Sequence, residues 1–349
     1  MKVLFGVQSE GNGHMTQALC VQEYLKTRNY EIGPTFVAKK KKGLAKYFID
    51  SFETYEYEGF DFVFGKDGKV IIWLTFLKGF IEMPKLIYSF IKICAKIKKE
   101  KPDVIVNFYE PLVGLTALFF RDIKYISFGH QYAMEADIYP HIKGFLFQKL
   151  FLGVINVATS IKAKIVALSY YKFIDKEFIV CPPILRKESY SKSNKTEDFV
   201  LVYLMNEDMV SQLVDNAAIH PELNIECFTK LTRKHQTISN VKLYNLDGQL
   251  FQEKMKVCSA VVCSGGFETS AEAILQHKPL LMVPLPNHFE QYANCNDAKL
   301  HGFCNYNSRI DLSLIPKKQI NNDEWFNSYK EILDEVFELI FCHVAFCNL

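Results

Sequence analysis

The sequence predicts an α/β protein with two doubly wound, Rossmann-like domains that face each other across a cleft. The chain has 349 residues, which is enough for two domains that each bury a core. Short apolar strand patterns alternate with helical patterns in both halves, as is typical of parallel sheets covered on both faces. A polar stretch that follows two prolines separates the halves and predicts a domain boundary.

The first domain is predicted over residues 1–184. Helical spacing of apolar residues, as in residues 15–25, fills several of the intervals between its apolar strands. The predicted strands cover residues 2–7, 35–38, 103–107, 124–128 and 164–168.

A linker is predicted over residues 185–198, because Pro182 and Pro183 stop regular structure and a segment rich in serine and lysine follows. The second domain is predicted over residues 199–323. Its strands are expected at 199–204, 223–228, 241–244, 260–263 and 279–283, and its helices at 208–218, 269–276 and 290–301. Residues 324–349 carry apolar side chains at helical spacing, so a C-terminal helix should pack back on the domains.

Composition excludes several classes of protein. A formal net charge of +2 argues against a general nucleic-acid binder. The apolar run after Met1 and Lys2 is too short for a signal peptide, and no uncharged run approaches the roughly 20 residues of a membrane-spanning helix. The ten cysteines form no C-x-x-C pair, which favours reduced thiols over a zinc site. We therefore expect a cytoplasmic protein.

Ligands in such folds bind beyond the carboxyl ends of the strands, so the loop after the first strand is a candidate site. Gly11 and Gly13 let the backbone turn sharply before a helix whose first amides can hold a polar group, and we assign both to acceptor binding. Thr16 stands where a dinucleotide fingerprint has its third glycine. A nicotinamide cofactor is therefore not expected, and no other cofactor is predicted.

His14 follows this turn and is the favoured general base, because imidazole can accept a proton near neutral pH. The alternative is a histidine at a helix start that only bonds a neighbouring loop. Glu110 and His130 also follow predicted strands. Each could orient His14, bind the acceptor or act as the base, and each could equally be a solvated loop residue.

The strongest motif lies in the second domain, where an apolar strand runs into Ser264, Gly265 and Gly266 and then into a helix. Backbone amides and the helix dipole at such a turn suit a diphosphate. Thr269 and Ser270 could add hydroxyl donors. This pattern predicts that the second domain binds the donor.

Three further polar residues belong to the same predicted rim. Glu272 lies one turn into the helix and can accept hydrogen bonds from ribose hydroxyls. Glu290 and Gln291 begin the next predicted helix, and a carboxylate beside an amide suits the vicinal hydroxyls of a sugar.

Residues 261–294 resemble the donor-binding signature of GT-B glycosyltransferases, especially the UDP-glycosyltransferases and the bacterial lipid-linked peptidoglycan N-acetylglucosaminyltransferase. With its Gly-x-Gly-His start, the whole chain is similar to archaeal and bacterial proteins related to glycosyltransferase family 28. The resemblance implies a GT-B fold and a nucleotide-sugar donor, UDP-linked. It places Glu272 on the ribose, Thr269 and Ser270 on the phosphates, and Glu290 and Gln291 on the transferred sugar.

The resemblance also implies that Arg186, which ends the stretch before the linker, approaches the diphosphate; the alternative is a solvated linker arginine. The sequence departs from the family where a glycine-rich loop is usual, because Asn206 is followed there by Glu207 and Asp208. Asn206 could replace the loop as a hydrogen-bond donor. No Asp-x-Asp cluster is present, so no essential metal is predicted.

These features predict a hexosyltransferase-type glycosyltransferase with an unknown acceptor. Two alternatives stay open: a nucleotide-sugar epimerase of the GT-B type, and a non-catalytic subunit that binds a sugar nucleotide.

Residues 71–99 and 144–161 mix large apolar side chains with lysines. They are interpreted as core helices of the first domain, while peripheral membrane contact and a lipid-linked acceptor are the alternative.

Overall fold

The computed structural model describes residues 1–10, 12–40, 43–59, 63, 72–191, 193, 195–232, 235–318 and 324–346. Within these residues the chain forms two seven-stranded sheets with helices packed on them. The predicted α/β class with two Rossmann-like units is confirmed.

The first sheet has the strand order β3-β2-β1-β4-β5-β6-β7, and every pair in it is parallel. Its central strands are apolar and mostly buried because helices cover both faces. They are β1 (Lys2–Val7), β2 (Glu31–Ala38), β3 (Thr54–Tyr57), β4 (Val104–Phe108), β5 (Lys124–Gly129), β6 (Lys164–Leu168) and β7 (Ile179–Cys181).

The second sheet has the order β10-β11-β9-β8-β12-β13-β14 and is parallel except for the β10–β11 pair. The antiparallel strand lies at the edge of the sheet. The strands are β8 (Val200–Tyr203), β9 (Ile225–Phe228), β10 (Gln236–Ile238), β11 (Val241–Tyr244), β12 (Ala260–Cys263), β13 (Leu280–Met282) and β14 (Asn305–Tyr306).

Twelve α-helices are present in the described ranges. All but the last two connect successive strands, and the last two follow β14. They are α1 (Gly13–Thr27), α2 (Lys46–Ser51), α3 (Ile72–Ile81), α4 (Met83–Glu100), α5 (Pro111–Leu115), α6 (Leu146–Ser160), α7 (Glu207–Ala218), α8 (Gly248–Val257), α9 (Phe267–Leu275), α10 (Phe289–Leu300), α11 (Glu324–Asn327) and α12 (Tyr329–Phe346).

The C-terminal helix α12 packs on the first domain. Phe337 lies edge-on to Tyr24 of α1 with ring centroids 4.8 Å apart, and it also contacts Phe128 of β5. The Tyr329 hydroxyl accepts a hydrogen bond of 3.1 Å from the backbone N–H of Leu185. The helix therefore ties the second half of the chain to the first sheet. The largest hydrophobic cluster contains residues of both sheets.

The interpretation of residues 71–99 and 144–161 as core helices is correct for only one side of each helix. Ile93 and Ile97 of α4 are buried in the core. The opposite sides carry large exposed apolar side chains, because no described element covers them. On α3, α4 and α6 these are Leu77, Phe80, Ile81, Met83, Ile87, Tyr88, Ile91, Leu146, Phe147, Leu150, Val154 and Val157. No described helix is both long and apolar enough to cross a bilayer.

Candidate active site

His14 lies in the first turn of α1, directly beyond the carboxyl end of β1. Its Nδ1 lies 3.3 Å from Oε1 of Gln17, one turn further along the helix. Its ring stacks on Tyr109, which follows β4, with centroids 5.7 Å apart and an interplanar angle of 17°. Burial lowers the pKa of His14 to about 4, so the imidazole is neutral at physiological pH and can accept a proton.

His130 follows β5 and lies in the same cleft. Its ring stacks on Phe267 of the second domain at a centroid distance of 4.0 Å, and its Nε2 is 4.0 Å from Oε1 of Glu290. Burial, and to a smaller extent the nearby His14, lower the pKa of His130 to about 3. The structure therefore brings the two predicted histidines together at the domain interface.

Glu110 caps the N-terminus of α5, where its carboxylate accepts from the backbone N–H of Leu112. It is buried, and burial raises its pKa to about 7, partly offset by the Tyr57 hydroxyl and the Leu112 N–H. No hydrogen bond joins it to His14 within the described ranges. The geometry therefore gives Glu110 a capping role and does not bring it to His14 as an orienting partner.

The two glycines of the second-domain loop serve different purposes. A Cβ on Gly265 would lie 2.5 Å from the carbonyl oxygen of Gln291, so α10 can approach the loop only because this residue is glycine. Asn294 of α10 donates a hydrogen bond of 2.8 Å to the Gly265 carbonyl. A Cβ on Gly266 would meet nothing within 4 Å. Open space therefore lies beside the start of α9.

The hydroxyls predicted to assist this loop are not equivalent. Ser264 and Thr269 are partly exposed beside the loop. The Ser270 hydroxyl is buried and lies 2.6 Å from the Tyr170 hydroxyl of the first domain, while it also donates to the Gly266 carbonyl. The Ser270 hydroxyl is thus engaged in joining the two domains, and the assignment of Ser270 to a phosphate stays a prediction.

Glu272 is buried on α9 and faces the segment between the sheets. Its Oε1 accepts hydrogen bonds from Ser189 Oγ at 3.2 Å and from Gln252 Nε2 at 2.7 Å. Burial raises its pKa, and the positive charge of Arg186 opposes that shift. Glu272 thus lies beside the glycine loop with a polar neighbour on either side.

Arg186 is packed between the two halves and is not a freely solvated linker residue. Its Nη2 donates to Thr16 Oγ1 on α1 at 3.2 Å, and its guanidinium lies 5.1 Å from the Tyr47 ring centroid. A Cβ on Gly248, the first residue of α8, would lie 3.6 Å from Nη1. The arginine therefore supplies positive charge where the starts of α1, α8 and α9 come together.

Glu290 and Gln291 lie in the first turn of α10, on the second-domain side of the cleft, but they face different ways. Glu290 accepts from Gln131 Nε2 of the first domain at 3.4 Å, and desolvation in the cleft raises its pKa to about 7 although 34% of its side chain is exposed. The Gln291 side chain accepts from the backbone N–H of Leu285 at 2.8 Å. Glu290 is the one that faces the first domain.

Asn206 caps α7, since its Oδ1 accepts from the backbone N–H of Met209 at 3.2 Å. Glu207 and Asp208 occupy the first turn of that helix and are exposed. Negative charge at a helix N-terminus is favourable, so Glu207 and Asp208 stabilise α7.

Two residues that sequence reasoning did not select lie at the centre of the interface. Glu268, in the first turn of α9, accepts a short hydrogen bond from Nε2 of Gln17 on α1. A Cβ on Gly13 would lie 2.9 Å from Glu268 Cγ, so this glycine permits the approach of α9. Burial raises the pKa of Glu268 to about 8. The position of Glu268 within the glycine motif was the one sequence signal that pointed to it. Gly11, which we assigned to acceptor binding, lies outside the described residues.

Solved structures with the same two-domain fold include Acinetobacter baumannii MurG, at 14% identity and a TM-score of 0.53, covering 98% of this chain and 91% of that one. Arabidopsis thaliana UGT89C1 complexed with UDP-L-rhamnose is 14% identical, with a TM-score of 0.60 and coverages of 97% and 93%. Streptomyces sp. SF2575 SsfS6 complexed with thymidine diphosphate is 11% identical, with a TM-score of 0.61 and coverages of 97% and 99%. These similarities establish the GT-B fold.

The sequence model of glycosyl transferase family 1 matches residues 1–320. The chain belongs to this family and is a glycosyltransferase. No curated protein sequence matches it.

Proposed function

We propose that the protein transfers a sugar from a UDP-linked donor held by the second domain to an acceptor held by the first. The observation that carries this proposal is the convergence of the glycine loop and α9 on the His14 turn across a closed cleft. The same interface contains the stacking of His130 on Phe267 and the hydrogen bond from Gln131 to Glu290. In open α/β sheets this edge is where ligands bind.

The donor diphosphate is proposed to lie beside Gly266, at the N-terminus of α9. Open space next to this residue and the helix dipole both favour an anion there. Arg186 adds a positive charge, and Thr269 in the first turn of α9 adds a hydroxyl. The ribose would then lie near Glu272, and Glu290 would face the sugar.

His14 is proposed as the general base. The acceptor O–H gives its proton to Nε2 of His14, and the acceptor oxygen forms a bond to the anomeric carbon of the sugar. The bond from that carbon to the diphosphate oxygen breaks, and its electron pair leaves with the diphosphate. The low pKa of His14 keeps Nε2 available throughout the physiological range.

We also propose that transfer needs no metal ion. The dipole of α9 and the Arg186 guanidinium would stabilise the negative charge that develops on the leaving diphosphate. Transfer should therefore continue in excess EDTA, and loss of transfer that added Mg²⁺ restores would contradict this proposal.

The test of the function compares transfer and donor binding in His14→Ala. Transfer should fall on the order of 100-fold or more, as expected on loss of a positioned base, while the affinity for the donor changes little. Undiminished turnover would remove His14 from the mechanism.

Incubation of the donor without acceptor separates the alternatives, because an epimerase would form an epimer, and a non-catalytic subunit would bind the donor without turning it over.

A lipid-linked acceptor is proposed from the exposed apolar faces of α4 and α6. Both helices contact α5, so the two faces lie on the same side of the first sheet. Phe147 is 73% exposed and Ile91 is 58% exposed, with the lysines Lys85 and Lys92 on the exposed side of α4. Apolar side chains among lysines suit an anionic membrane surface.

Flotation with vesicles tests this surface. The protein should float with phosphatidylglycerol vesicles at low salt and should not float with neutral phosphatidylcholine vesicles, and Phe147→Glu should weaken flotation without changing the thermal midpoint. A protein that stays in the dense fraction with both kinds of vesicle would contradict membrane contact.

A further inference from the structure

Among the described residues, Gln17 is the side chain that hydrogen-bonds both His14 and the second domain. It is 2% exposed and lies on α1, three residues after His14, so the two side chains share a face of the helix. Its Oε1 faces Nδ1 of His14 at 3.3 Å, and its Nε2 donates to Glu268 of α9. The amide thus bridges the cleft.

An amide has fixed donor and acceptor ends. The oxygen of Gln17 can only accept, so Nδ1 of His14 must carry the hydrogen when this bond forms. The lone pair of the ring then lies on Nε2, the atom that takes the proton in the proposed reaction. The hydrogen bond made by one ring nitrogen of a histidine sets its tautomer, and here that nitrogen is Nδ1.

We propose that Gln17 is a positioning residue that holds His14 in the Nδ1–H tautomer and that Glu268 of the donor domain fixes the direction of the Gln17 amide. This inference rests on the proposed role of His14 as the base. It makes the state of the base depend on closure of the cleft, because Glu268 meets Gln17 only when α9 lies against α1.

The groups around the hydrogen-bonded series His14–Gln17–Glu268 are consistent with this role of Gln17. Glu268 Oε2 is buried without a hydrogen-bond partner in the described ranges, so Oε1 alone holds Gln17. Arg186 lowers the pKa of Glu268, and Glu272 raises it. Glu268 in turn raises the pKa of the Cys20 thiol. With Oε2 protonated, Oε1 remains a carbonyl acceptor for the Gln17 amide.

On the His14 side, the neighbours are the Tyr109 ring and His130. Among the described residues Nδ1 has no second hydrogen-bond partner, and Tyr109 stacks on the face of the ring. Gln17 is therefore the residue that sets the tautomer.

The direct test reads the tautomer by ¹⁵N NMR of the histidine ring nitrogens in the full-length protein. The native protein should show His14 protonated at Nδ1. Gln17→Leu removes the acceptor and should shift His14 toward the Nε2–H form, and kcat should fall on the order of 100-fold with little change in the KM for the donor. Gln22→Leu is the matched control, since Gln22 is a buried glutamine of the same helix that bonds Ser51 instead.

The exchange variant Gln17→Glu/Glu268→Gln supplies a rescue. The new carboxylate at 17 accepts from Nδ1–H and from the new amide at 268, so the Nδ1–H tautomer and transfer should return. The added charge should also raise the pKa of His14 and move the acidic limb of the pH profile upward. An unchanged His14 tautomer in folded Gln17→Leu would overturn the inference, whereas full transfer by His14→Ala would overturn the proposed function and leave the tautomer result standing.

Discussion

Burial sets the charge of the side chains at the cleft. The pKa of His14 is lowered to about 4 and that of His130 to about 3, while the pKa of Glu268 is raised to about 8. At neutral pH both imidazoles are therefore uncharged, and Glu268 is mainly protonated. A donor diphosphate could lie beside Glu268 without facing a full negative charge, and Arg186 is left as a positive charge beside the turn proposed to bind phosphate.

Glu110 provides a test of burial at a single residue. Its pKa is raised from 4.5 to about 7, so the folded protein keeps a proton there that the unfolded chain has lost above pH 4.5. That contribution to stability is present below pH 4.5 and disappears as the pH rises through 7. Glu110→Gln should therefore raise the free energy of unfolding relative to the native protein by about 3 kcal/mol more at pH 8.5 than at pH 4.5. Urea unfolding at the two pH values measures this, and an equal effect at both would contradict it.

Gly265 and Gly266 provide a matched pair of substitutions. Gly265→Ala places a methyl group 2.5 Å from the Gln291 carbonyl and should lower stability by about 1–3 kcal/mol. Gly266→Ala meets no protein atom within 4 Å, so the fold should tolerate it. Its methyl group would occupy the space proposed for the diphosphate, and donor affinity should fall about 10-fold, or about 1.4 kcal/mol. Calorimetric titration with UDP and thermal unfolding separate the two effects. Native donor affinity in Gly266→Ala would place the diphosphate elsewhere.

At the scale of elements, the central strands were predictable because each is a short apolar run between turn residues. Lys2–Val7, Lys164–Leu168 and Ala260–Cys263 were predicted with the bounds observed. The four strands missed, β3, β7, β10 and β14, lie at the edges of the two sheets. Gln236–Ile238 is exposed at every position, and Ile179–Cys181 has only three residues. Their strand structure depends on pairing with a neighbour, which local sequence does not record.

Packing of α12 on the first domain can be tested at Phe337, which is 2% exposed and contacts Tyr24 and Phe128. Phe337→Ala should lower the free energy of unfolding by about 3–5 kcal/mol. Leu339→Ala is the control on the same helix, because Leu339 is 44% exposed, and it should change stability by about 0.5 kcal/mol or less. Similar effects for both residues would mean that α12 is not held by this face.

For the molecule as a whole, the sequence predicted two units and the motif on each, but not how the units meet. The resemblance pointed to Ser270 as a phosphate ligand, yet its hydroxyl contacts Tyr170, 100 residues earlier in the chain. Glu268 was passed over because only the folded cleft brings it to Gln17. Contacts between domains join residues far apart in sequence, so no local pattern reports them. For α4 and α6 the sequence left two interpretations open, core helices or exposed membrane-contacting faces, because the spacing of apolar residues does not say whether another element covers them.

The central claim is that the glycine loop and α9 of the second domain hold a nucleoside diphosphate. Thermal unfolding with a panel of nucleoside diphosphates and their sugars, without added metal, tests it most directly. A ligand at 100 times its Kd adds about 2.7 kcal/mol to stability. UDP or a UDP-sugar should therefore raise the unfolding midpoint of the native protein by several degrees, and Glu272→Ala should reduce that increase. No increase with any member of the panel at millimolar concentration would contradict the account.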